Sequence, residues 1–314
     1  MRFAILKRIV KDRIKKITTK KYCICIKNWF SKDDRYYLIR RKIPWAGFYA
    51  NYLYVAGHIV YALKKGYIPV IDMENYPTLY NEVNTYKGTK NAWEYYFEQP
   101  FGISVKDAME SKNYILSDFS TMREYLPYKD GKNYFTIDWF KANEIVDVIN
   151  TYLLPKEEIS SQVENFYKEK MRGKRVLGVH YRGTDKKIKV ANHFLSASLE
   201  NYLACVYKNV LEYNPDAILL CTDDEEAIAV FLEKFPEKVF FSEAFRAKKG
   251  DIEGIHLKKN VERENHNYLL GKEVIFDVML LSKCDYFVFS HSNVATTVMF
   301  INNQKFTKTY FVED

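Results

Sequence analysis

The segment Gly178-Val179-His180-Tyr181-Arg182-Gly183-Thr184-Asp185-Lys186 runs straight off an apolar, strand-like stretch, Arg175 to Val179. In open α/β sheets the carboxyl ends of strands border the crevice where ligands bind, so polar side chains at such a place face whatever fills it. Arg182 carries a rigid fork of donors that matches phosphate oxygens bidentately, and Asp185 would orient that arginine or tie down the loop. The same residues would also suit a surface turn with an Arg–Asp pair.

Three further places have the same character. Leu219-Leu220-Cys221-Thr222-Asp223-Asp224 is an apolar strand ending in polar groups; it lacks the Asp-x-Asp spacing that holds a divalent cation in many sugar-transfer enzymes, so no metal is called for. Thr222 or Asp223 would either cap the following helix or touch a ligand. Asp277 interrupts the apolar run Val274 to Leu281, and a buried carboxylate without a partner costs several kcal/mol. Its partner is either a buried Lys or Arg of the fold or a ligand with two parallel donors, as guanine presents. Finally, Phe289-Ser290-His291-Ser292-Asn293 closes a strand and opens a helix. Hydroxyls and backbone N–H groups at the positive end of a helix dipole make an anion site suited to a diphosphate.

These residues need elements to position them, and the pattern supplies strand–helix alternation. Trp45 to Leu63 reads as a helix and Tyr67 to Ile71 as a strand. After an irregular stretch, charged helical sequence runs from Asp138 to Lys170, broken by Pro155. Strands then follow at 175–181, 217–222, 239–241 and 285–289, with helices at about 195–213, 224–235 and 271–283 and a closing helix from Val294. Such alternation implies α/β architecture with parallel sheets and helices on both faces. Two domains are expected, residues 22–160 and 161–314, after a distinct segment 1–21. The aromatic patch from Asn91 to Pro100 is either core or the lining of a sugar pocket.

The chain has 314 residues, 47% apolar and 28% charged, enough for two ordinary cores. Its charge is concentrated: residues 1–21 hold nine basic groups and one acid, equal in net terms to the +8 of the whole chain. Phe3, Leu6, Val10, Ile14 and Ile17 recur there at helical spacing. This suits an amphipathic helix on an anionic membrane surface, or else a solvated basic arm. The balanced remainder argues against nucleic acid as a partner. No run spans a bilayer, and the five cysteines, Cys23, Cys25, Cys205, Cys221 and Cys284, suit a reduced, cytoplasmic protein.

The order His-x-Arg-x-Thr-Asp-Lys, Thr-Asp-Asp after a strand, Gly-x-x-x-x-x-Asp on an apolar helix, Asp-Tyr-Phe-Val, and Ser-x-Ser-Asn resembles the α1,6-fucosyltransferases and nodulation fucosyltransferases. The resemblance covers about residues 175–304, with a weaker echo at 45–71. It implies a GT-B fold with two Rossmann-like domains and a cleft between them. It also implies metal-independent, inverting transfer of fucose from GDP-fucose, with no cofactor beyond that donor substrate. By the resemblance His180 and Asp277 would bind the guanine end, Arg182 the β-phosphate, Asp223 the nucleoside region, and Ser292 with Asn293 the diphosphate, beside Ser290.

Two departures bear on mechanism. Relatives commonly carry a second Arg where this chain has Gly183, so Lys186 or Lys187 would substitute. The stretch after Lys186 is one residue longer and has no acid where the α1,6 enzymes place a base, which leaves Asp185, His193, Glu94 and Glu98 as candidates for that proton. The expected activity is fucosyl transfer to a glycan or lipid-linked glycan in surface polysaccharide synthesis, at the cytoplasmic face of a membrane. A transferase using ADP-heptose or another GDP-deoxysugar, and a nucleotide-sugar- or glycan-binding protein without chemistry, are the alternatives.

Overall fold

The computed structural model describes residues 35–118, 137–183, 197–249, 251, 255, 258 and 261–313. The basic segment 1–21, Cys23, Cys25, Asp185, Lys186, Lys187 and His193 lie outside these residues.

The first sheet is built from β1 (Tyr36–Ile39), β2 (Ile68–Ile71) and β3 (Tyr114–Leu116), all parallel, in the order β2-β1-β3. Between β1 and β2 runs α1 (Phe48–Lys65), which ends in the left-handed Gly66, a position where glycine avoids the Cβ penalty. Two short helices, α2 (Trp93–Tyr96) and α3 (Val105–Glu110), precede β3. The chain then crosses through α4 (Trp139–Tyr152) and α5 (Glu157–Lys170) to the second sheet.

The second sheet has five parallel strands in the order β6-β5-β4-β7-β8: β4 (Val176–Tyr181), β5 (Ala217–Thr222), β6 (Val239–Phe240), β7 (Tyr286–Phe289) and β8 (Lys308–Phe311). Its helices are α6 (Leu199–Tyr213), α7 (Glu225–Lys234), α8 (His266–Leu281) and α9 (Asn293–Asn302). The inner strands read as continuous apolar runs because both faces are covered, and all six residues of β5 are buried. The alternation expected from the sequence is present. The closing helix is followed by one more strand, β8, and the irregular first half contains β3.

The aromatic stretch from residue 91 is core: Trp93, Tyr95, Tyr96 and Phe97 are all buried. Glu94 is held by Thr89, Asn91 and Gln99 side chains, and Glu98 lies exposed beside Lys156. Glu94 is thereby tied into local structure, while Glu98 is open to solvent. Cys221 and Cys284 are buried core residues, the latter packed where Gly178 leaves room: a Cβ at Gly178 would stand 3.0 Å from the Cys284 sulfur.

Candidate functional site

The strand order of the second sheet defines where a ligand belongs. From β4 the chain steps to β5 and β6 on one side and later to β7 and β8 on the other, so the switch point lies between β4 and β7. His180 pairs in register with Phe289, which places Arg182 and the Ser290–Asn293 turn side by side beyond those strand ends. Ser292 caps α9 by accepting from the Ala295 amide at 2.9 Å, and the same hydroxyl lies 3.4 Å from His180 Nδ1. His180 therefore stands with the helix start that offers amides to an anion.

The four residues of this turn divide their work. Ser290 is buried and meets the hydroxyl of Tyr202, which in turn donates to the His180 carbonyl at 2.9 Å; it supports the site from beneath. His291 packs edge-on against Phe311 at 4.9 Å between ring centroids. Ser292 is the cap, and Asn293 opens the helix in its first turn.

Arg182 is half-buried and faces the first half of the chain, close enough to the Tyr80 hydroxyl to lower the pKa that burial raises. That hydroxyl accepts from the Phe48 amide at 2.8 Å, so the first turn of α1 borders the same crevice. Gly183 packs directly on Asp224: a Cβ there would lie 2.6 Å from the Asp224 Cβ. This packing leaves no room for a side chain at position 183 unless Asp224 moves. Asp223 does not cap α7, nor does Thr222. The cap is Asp224, accepting from the Glu226 amide at 2.9 Å, while Asp223 Oδ1 accepts from the Gly183 amide at 2.8 Å and fixes the arginine loop to the end of β5.

Asp277 lies on α8, over Cys221 of β5 and level with the turn after β6. The Ser242 hydroxyl donates to its Oδ1 at 2.5 Å, and the Arg246 guanidinium is near. Burial pushes its carboxyl up to about 6, against the pull of Ser242 and Arg246. Of the two kinds of partner open in the sequence, the fold supplies a hydroxyl and a nearby arginine. The phenol of Tyr49, in the first turn of α1, is also close to Asp277. Ser242, Arg246, Tyr49 and Tyr80 escaped the sequence reading. The first two follow a strand end, the rule that marked Arg182, but β6 is only two residues long and gave little to follow. Tyr49 and Tyr80 join the site through tertiary contact, which has no local signal.

The crevice thus runs from the start of α9 and Arg182, past Asp223 at the end of β5, to Asp277 and Ser242, with the first turn of α1 along its edge. No family model matches the chain, and no curated protein does. Among solved structures, the nodulation α1,6-fucosyltransferase NodZ soaked with GDP-fucose superimposes with a TM-score of 0.53 over 85% of this chain and 93% of that one, at 16% identity. NodZ from Bradyrhizobium, as its Se-Met form, gives 0.51 over 86% and 92%, at 18% identity. Arabidopsis thaliana FUT1 in complex with GDP gives 0.52 over 99% and 79%, at 11% identity. The chain shares the fold of these fucosyltransferase structures, the GT-B type with two parallel, helix-flanked sheets.

Proposed function

We propose that this protein is a metal-independent, inverting glycosyltransferase that transfers fucose from GDP-fucose to a glycan in surface polysaccharide synthesis. The observation that carries the reading is the order of groups along the crevice. An arginine and a capped helix start lie at the β4–β7 switch point, and a carboxylate with a hydroxyl partner lies over the last residues of β5. A nucleoside diphosphate laid along it puts two phosphates on Arg182 and α9 and a base with paired donors on Asp277. Crystals of structurally similar proteins hold GDP or GDP-fucose, which supports the choice of nucleotide.

In such a transfer the acceptor hydroxyl attacks C1 of fucose on the face opposite the leaving group, the bond from C1 to the β-phosphate oxygen breaks, and that oxygen keeps the electron pair. Negative charge grows on the departing diphosphate, so the preorganised guanidinium of Arg182 does the larger share of the stabilisation. The acceptor proton passes to a base, for which Asp185, three residues after Arg182, is the catalytic candidate of the sequence. A lipid-linked acceptor would be met at the cytoplasmic face of the membrane, with the basic segment 1–21 held against anionic lipid. No helix among the described residues is long and apolar enough to cross a bilayer.

Thermal shift with GDP, UDP, ADP and CMP tests the donor. GDP at 100 times its Kd should stabilise the fold by about 2.7 kcal/mol, and equal shifts from UDP would refute the guanine assignment. Arg182→Lys keeps the charge but loses the planar fork, so turnover should fall roughly 10²-fold, with Mg²⁺ and EDTA changing little. Strong metal dependence would indicate another class of transferase.

A further inference from the structure

The first sheet has a switch point of its own. In the order β2-β1-β3 the chain goes to opposite sides of β1, so the crevice beyond the carboxyl ends of β1 and β3 is a place for a ligand by the same rule. Ser117 binds those two ends together: its hydroxyl accepts from the Arg40 amide at 2.9 Å and donates to the Arg40 carbonyl at 3.1 Å. Arg40 and Arg41 leave β1 at this point and the exposed Asp118 leaves β3, all three charges lying close to the Tyr54 hydroxyl.

Both guanidinium groups are preset by aromatic rings. Arg40 donates through Nη1 to the Tyr76 hydroxyl at 2.7 Å and stands 5.0 Å from that ring's centroid, while its Nε is buried with no acceptor. Arg41 lies 5.1 Å from the Tyr54 centroid and donates to the Ala50 carbonyl in the first turn of α1. Asp72, the carboxylate at the end of β2, is buried and occupied by the Glu74 and Asn75 amides, so among the described residues the charged side chains left at the ends of β1 and β3 are the two arginines and Asp118. Trp45 is 65% exposed and sits at the turn between Arg41 and α1. An exposed indole in that position offers a flat face to a sugar ring. The crevice joins the nucleotide site through the first turn of α1, whose Phe48 amide is held by Tyr80 beside Arg182.

We infer that this crevice is the acceptor subsite and that it selects a glycan carrying an anionic group, a sugar carboxylate or a phosphate, held by Arg40 with Arg41 while a neighbouring sugar stacks on Trp45. Calling the ligand an acceptor rests on the fucosyl-transfer reading; its binding does not.

The test is saturation-transfer NMR on the full chain, without nucleotide, using three trisaccharides that share a terminal galactose: a neutral one, one containing glucuronic acid, and one with an anomeric phosphate. One anionic form should bind at least about tenfold more tightly than the neutral one, a difference of about 1.4 kcal/mol, and which form it is identifies the source of the charge. The advantage should shrink with added salt. Arg40→Gln should abolish it and leave both neutral binding and the GDP thermal shift unchanged. Arg40→Lys should retain part of the advantage at low salt, which separates lost charge from lost fold. Trp45→Ala, at an exposed site that the fold tolerates, should weaken all three. Equal or undetectable binding of the three sugars, or an undiminished preference in Arg40→Gln, overturns the proposal. A missing GDP shift with the anionic preference intact would instead sink the donor reading alone.

Discussion

At the scale of single residues, the site is governed by what burial does to charge. Asp277 is held near 6, above the ordinary 3.8, because desolvation outweighs Ser242 and Arg246. A carboxyl raised in the folded state favours the fold while protonated. Its contribution is full below about pH 4 and is lost as pH rises through 6. Tenfold in proton affinity between the folded and unfolded chains is worth about 1.36 kcal/mol, so Asp277→Asn should stabilise the ligand-free protein by about 1–3 kcal/mol at pH 8 and by about half as much at pH 5. Urea denaturation at the two pH values measures this; a variant less stable than the parent at pH 8 would show that the carboxylate is well paired. Since guanine needs the ionised carboxylate, GDP affinity should fall in the parent below pH 6 and be weak and pH-independent in the variant. Asp277 was legible because a charge inside an apolar run is conspicuous. Arg40 and Arg41 were not, since two arginines after a four-residue strand look like any solvated loop.

Elements were legible in proportion to their length and to their caps. The strands at 176–181 and 217–222 stand out as apolar runs between polar ends. β3 and β8 have three and four residues, are incompletely buried, and carry no such run. α8 starts at His266, five residues before the expected 271, and its cap explains why: Asn265 is left-handed, at φ 51°, and makes no side-chain cap bond, so the usual start signal is missing. α9 is the opposite case. Its Ser292 cap is visible in sequence and does two things in the fold, closing the helix start and meeting His180. Ser292→Ala should cost about 0.5–2 kcal/mol in stability, as for loss of a cap. If the helix start also holds the diphosphate, GDP affinity should fall more than GMP affinity does. Calorimetry with the two nucleotides separates the effects, and an equal loss for both would remove α9 from the diphosphate site.

At the scale of the molecule, each sheet keeps an apolar cluster of its own and a third, larger cluster joins the two halves. One apolar cluster runs from Tyr37 of β1 through Trp93 and Ile149 to Ile275 and Phe300, and α9 packs on both α1 and α4 while α5 packs on α8. The boundary drawn at residue 160 falls inside α5, whose Ile159 and Val163 are buried in that shared cluster. Composition and alternation could count the sheets; they could not show that the helices between them would share a cluster spanning both halves, because that depends on which faces meet. The halves meet tightly at Gly271 of α8, where Tyr96 stacks on Tyr268 at 5.4 Å and donates to its carbonyl at 2.9 Å. A Cβ at Gly271 would lie 2.5 Å from Tyr96 Cζ and 3.0 Å from Phe48 Cε2, so Gly271→Ala forces the two halves apart at a point that cannot yield cheaply. Overpacking of this kind costs about 1–3 kcal/mol. With a shared core the loss should appear as a lower midpoint of one cooperative urea transition, followed identically by tyrosine fluorescence and by far-ultraviolet circular dichroism. Two separated transitions in the parent, with only one of them moved by Gly271→Ala, would mean that the halves fold as independent units and that the crevice between them can open as a hinge.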